Sequence, residues 1–129
     1  MSTRGIGHIN LRASAEMVER LRRFYTDIVG LREGSRPRFR SGSRGHWLYA
    51  GNRDVLHLSI RDGEDNSPGN TGAFGHMAFT CNDLAATRTR LDTAGIRYET
   101  DLVDELHQVQ LFLTDPAGVG VELTFTNPQ

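Results

Sequence analysis

Gly7-His8-Ile9-Asn10-Leu11 returns 68 residues later as Gly75-His76-Met77-Ala78-Phe79. Each stretch is a short strand-like run with Gly-His at the same place, and each leads into a helical pattern. In the first half Met17, Val18, Leu21, Phe24, Tyr25 and Ile28 recur at helical spacing. Ser14 is placed to cap that helix, Glu16 lies in its first turn, and Gly30 ends it. In the second half Leu84, Leu91 and Ala94 form one stripe, Asn82 or Asp83 caps it, and Gly95 stops it. A repeat of this length decides the fold before any single residue does.

The rest of each half follows the same order. A short apolar segment comes after each helix: Leu31 onward in one, Ile96-Arg97-Tyr98 in the other. Two more strands complete the first half at Trp47–Tyr49 and Val55–Ile60, and the second at Val109–Thr114 and Val119–Phe125. Gly51-Asn52 and Asp115-Pro116-Ala117-Gly118 supply the turns between them. The pattern predicts an α+β fold of two βαβββ modules, at about 5–61 and 73–126, within a single domain 1–129. The polar, Gly- and Pro-rich stretch 62–72 is the expected linker. A half of this size hardly makes a core alone, so the modules are expected to share one.

Alternation along the strands separates two kinds of residue. Ile9 and Leu11, Leu56, Leu58 and Ile60, Met77 and Phe79, and Val121, Leu123 and Phe125 form apolar faces. His8, His57, His76 and Glu122 lie on the opposite faces of those strands. His57 follows His8 by 49 residues, and Glu122 follows His76 by 46. Structural copies would therefore hold the four residues at equivalent positions in pairs. Imidazole with carboxylate suits one divalent ion such as Zn, Ni, Fe, Mn or Co. Singly, each histidine reads as a structural residue of a half-buried strand; the matched set of four is what points to a metal.

Composition excludes several classes. The 129 residues carry a net charge of −1, 37% apolar and 24% charged residues, the balance of a soluble globular protein. No basic block argues for nucleic acid, and no apolar run approaches the ~18 residues of a membrane span. Neither does the N-terminus read as a signal peptide. Cys81 is the sole cysteine, which excludes an internal disulfide and suits a cytoplasmic setting. All fifteen basic residues are Arg, which fits coding bias and leaves no lysine for Schiff-base chemistry.

The quoted stretches, with Phe24–Leu31 and Asp115–Leu123, resemble the vicinal oxygen chelate superfamily of glyoxalase I, extradiol dioxygenases and bleomycin-resistance proteins. The resemblance covers nearly the whole chain. It implies paired modules forming an open half-barrel around a metal cleft, and a small-molecule substrate. His8, His76 and Glu122 fall on the usual ligand positions, and His57 falls where glyoxalase I usually has a glutamate. The implied activity is that of a glyoxalase-I-like lyase or isomerase. In it Glu122 and His57 are the catalytic groups, and the metal stabilises an enolate. The alternatives are an iron-dependent extradiol-type dioxygenase and a metal-free binding module of the resistance type. Trp47, Tyr49 and His107 are candidate substrate contacts, each equally readable as packing or loop-edge residues. Arg36, Arg38, Arg40 and Arg44 read as a solvated loop that is also placed to attract a carboxylate. A homodimer is expected, as in small glyoxalase-like proteins.

Overall fold

The computed structural model describes residues 2–63 and 70–128. The chain divides into two compact units, Met1–Asn66 and Ser67–Gln129. The linker expected at 62–72 lies largely outside the described residues.

The first unit runs β1 (Ile9–Ala13), α1 (Ala15–Arg23), β2 (Arg32–Gly34), β3 (Gly45–Ala50) and β4 (Arg53–Ile60). The second runs β5 (His76–Thr80), α2 (Leu84–Thr93), β6 (Glu99–Val103), β7 (Gln108–Thr114) and β8 (Gly120–Thr126). Each is βαβββ, with sheet orders β1-β4-β3-β2 and β5-β8-β7-β6. The first strand of each unit pairs in parallel with the last, and the other neighbours are antiparallel. Neither sheet closes into a barrel.

Local chemistry explains the helices. Ser14 Oγ accepts the Met17 N–H at 3.2 Å, and Asp83 Oδ1 accepts the Ala86 N–H at 3.0 Å. After Arg23 the first helix widens into a π-helical stretch, Phe24–Val29, closed by Gly30 in the left-handed region at φ 95°. The wider turn shifts the buried face by one residue. Val29 is buried with Phe24 and Tyr25, whereas Ile28, the residue expected on that stripe, is only half-buried. The second helix buries Thr87 and Leu91 and leaves the expected Ala94 exposed. It ends with Gly95 at φ 70°, whose N–H bonds Asp92 O while Ile96 N–H bonds Leu91 O. That cap uses Ile96, so the strand expected from Ile96 begins at Glu99 instead.

The apolar faces read from alternation form the core. Leu56, Leu58, Val121, Leu123 and Phe125 are buried, and α1 lies over β1 and β4 with Met17, Val18 and Leu21 inward. Each such side chain contributes about 1.5–3 kcal/mol by leaving water. The 115–118 turn is tied by its buried Asp115, whose Oδ1 accepts N–H bonds from Ala117 (2.8 Å) and Val119 (3.0 Å).

Two predictions follow from packing and charge. A Cβ added at Gly120 meets Gly75 O at 2.5 Å and His76 Cβ at 2.8 Å. Gly120→Ala is therefore expected to cost about 1–3 kcal/mol in denaturant unfolding. Glu19 accepts a two-pronged bond from Arg22 and one from Arg23, and the Arg22 bond is the main reason its carboxyl falls from 4.5 to about 2. Its folded value lies below its unfolded one, so its contribution is full above about pH 4.5 and fades as pH falls toward 2. Glu19→Gln is expected to flatten the fall of melting temperature across that window, and its curve should meet the wild type at the acid end.

Candidate metal centre

The two units hold their candidate ligands at the same register. Asn10, two residues after His8, pairs with His57; Ala78, two after His76, pairs with Glu122. The next strand repeats the match: Trp47 lies opposite His57, and Phe112 opposite Glu122. Sequence spacing alone had suggested the pairs, and the register gives their physical form.

In the first unit three rings stack. Trp47 lies parallel to His57 with centroids 4.0 Å apart, and His8 covers the other face at 3.7 Å. His57 is thus buried although it opposes the Leu56–Leu58 face. Its edge is held too: Nε2 lies 2.7 Å from Asp54 Oδ2. Asp54 and His57 are three apart and would face opposite ways in a regular strand. The pairs Leu48↔Leu56 and Ala50↔Arg53 show why they do not. One residue of β3 is matched there by two of β4, a bulge that re-aims Asp54. The histidine bond, first among the causes, holds the Asp54 carboxyl below its ordinary value. Donor atoms of His8, Asp54 and His57 all lie within 4.8 Å of one another.

In the second unit His76 Nε2 lies 3.3 Å from Glu122 Oε1, and Thr124 O–H donates to Glu122 Oε2 at 2.5 Å. Phe112 stands edge-on to His76, with centroids 5.9 Å apart. Within each unit the neighbouring imidazole and carboxylate groups are of the kinds a borderline divalent ion accepts.

The other expected contacts lie elsewhere. The Tyr49 hydroxyl donates to Ser35 O at 2.6 Å, and the ring carries the Arg32 guanidinium 5.2 Å above its centroid. His107 is exposed at φ 52°, before β7 begins, and lines a 410 Å³ concavity with Val103, Gln108 and Asn127. It is about 17 Å along the strand from Phe112. In the arginine loop Arg36 donates to Ser43 O and Ser43 Oγ and packs 4.8 Å over Phe39, which leans on Trp47 at 6.4 Å. Asp54 was absent from the sequence reading, because alternation puts it on the wrong face and a bulge leaves no residue signature.

The family model for the Glyoxalase/Bleomycin resistance protein/Dioxygenase superfamily matches residues 5–123, a span that holds both Gly-His strands and Glu122. The chain belongs to this superfamily. Solved superfamily structures share the fold. A glyoxalase-family protein from Bacillus anthracis has TM-score 0.75 at 21% identity, covering 98% of each chain. A lactoylglutathione lyase from Agrobacterium tumefaciens has TM-score 0.66 at 20% identity, covering 97% of this chain and 96% of its own. A glyoxalase-family protein from Enterococcus faecalis has TM-score 0.65 at 26% identity, covering 96% and 99%. No curated protein matches the sequence. No helix among the described residues is long and apolar enough to cross a membrane.

The stacked site sets a stability expectation. His57→Ala removes a ring packed on both faces and is expected to cost about 2–3 kcal/mol, with a changed near-ultraviolet circular dichroism from Trp47. His107→Ala, at an exposed turn, is expected to stay within about 0.5 kcal/mol of wild type.

Proposed function

We propose that this superfamily member is a metal-dependent enzyme acting on a small molecule, with glyoxalase-I-like lyase or isomerase chemistry. In this reading His8, His57, His76 and Glu122 hold one divalent ion. The observation that carries it is the equal register of the two units, Asn10↔His57 and Ala78↔Glu122. Four donor side chains at matched positions of a repeat are more than separate strand histidines require.

When bound, the ion supplies Lewis-acid stabilisation of negative charge on a substrate oxygen. The chain's own groups do the rest. Glu122 Oε1 takes the proton from the carbon beside a substrate carbonyl and returns it to the neighbouring carbon. Thr124 holds Oε2, so Oε1 is the oxygen that faces His76 and is available for transfer. His57 serves as the fourth ligand or, unligated, as the second acid–base group, and Trp47 stacks beside it. The fold shared with a lactoylglutathione lyase supports this choice of reaction class. The reading extends to a cytoplasmic homodimer, and exposed Ile6, Phe74, Leu102 and Leu106 offer apolar surface for a second copy.

One observation favours a second reading. His57 is already engaged by Asp54 and by two rings. If it stays unligated, His8, His76 and Glu122 form the two-His-one-carboxylate set of an iron-dependent extradiol-type dioxygenase.

Metal content of protein purified without chelator or affinity tag tests both. Wild type is expected to carry about one divalent ion per chain, lost in His8→Ala and Glu122→Ala. Zinc, nickel or cobalt supports the glyoxalase-like reaction, and iron the dioxygenase. No uptake after soaking in each ion overturns both and leaves a metal-free binding module.

A further inference from the structure

The Asp54–His57 contact reaches beyond a metal-ligand inventory. His57 has few degrees of freedom left. Trp47 and His8 cover its two faces, so the ring is confined to its own plane. Within that plane the 2.7 Å contact to Asp54 Oδ2 fixes the orientation through Nε2. An ionised carboxylate accepts hydrogen bonds and donates none, so Nε2 is the nitrogen that carries the proton. A neutral imidazole with its proton on Nε2 has its lone pair on Nδ1.

The backbone is built for this contact. The β4 bulge, where Leu48↔Leu56 gives way to Ala50↔Arg53, turns Asp54 to the histidine side. It lies just after the tight Gly51-Asn52 turn, where Gly51 adopts φ 60°. Bulges beside functional sites re-aim side chains in this way. The second unit reaches the same end by another route, since Thr124 holds Glu122 from the alternate position of its own strand.

We propose that Asp54 is a positioning residue that holds His57 as its Nε2–H tautomer, so that Nδ1 is the nitrogen His57 presents to a divalent ion or to a substrate proton. The proposal rests on the reading of His57 as a site residue. Carboxylates behind ligating histidines raise ligand basicity, and their loss costs about 10–100-fold in metal affinity.

Two-bond proton–nitrogen correlation spectra of the metal-free full chain, labelled with ¹⁵N-histidine, test the idea. His57 signals are identified by their loss in His57→Gln. Wild type is expected to show Nε2 protonated, Nδ1 unprotonated, and a slowly exchanging Nε2–H. Asp54→Ala is expected to lose the slow exchange and to mix the tautomers, while far-ultraviolet circular dichroism stays unchanged. Zinc added to wild type then shifts Nδ1 with Nε2–H still in place, and zinc affinity falls about 10–100-fold in Asp54→Ala. A wild-type lone pair on Nε2, or the same Nε2–H exchange in Asp54→Ala, overturns the proposal. Failure of zinc to bind wild type, with the Nε2–H intact, upholds the tautomer assignment and removes the metal reading instead.

Discussion

The parallel pairing of each unit's first strand with its last is the constraint on which everything else depends. Strands that run the same way need a long crossover, and in each unit a helix and two further strands fill it. The pairing puts residues from opposite ends of a unit side by side, His8 near His57 and His76 beside Glu122. A slip of one residue in the β1–β4 pairing would turn a whole strand over, taking Leu56 and Leu58 off the apolar face under α1. The apolar face therefore sets the register, and the register sets the candidate site.

Around that register the units use different means to hold their side chains. The first builds a sandwich of Trp47, His57 and His8, extended through Phe39 to Arg36 in the neighbouring loop. Ring stacking of this kind is non-directional about its normal, so it needs an in-plane tie, which Asp54 supplies. The second has less aromatic cover, with Phe112 edge-on to an exposed His76, and it relies on the Thr124 hydroxyl to orient Glu122.

The repeat, the βαβββ order and both capped helices were legible because each follows from a period or a cap, and the same alternation put forward the four candidate ligands. Alternation at period two separated Leu56 and Leu58 from His57, and Val121 and Leu123 from Glu122. What escaped was irregular. The π-helical turn moved the buried position from Ile28 to Val29, and the closure of α2 took Ile96 out of the next strand. Asp54 is another instance of the same gap. Its side depends on one extra backbone residue in β4, a matter of pairing between strands that no single strand's pattern contains.

The two units are copies in backbone and unequal in chemistry, and the inequality sits at matched places. His57 stands where the second unit has Glu122, and Trp47 where it has Phe112. An imidazole therefore stands in one unit where a carboxylate stands in the other. His57 is held by a carboxylate through Nε2, and Glu122 by a hydroxyl through Oε2 with its Oε1 toward His76. The units thus share a backbone and differ in the side chains set at its matched places, so the fold alone does not fix their chemistry.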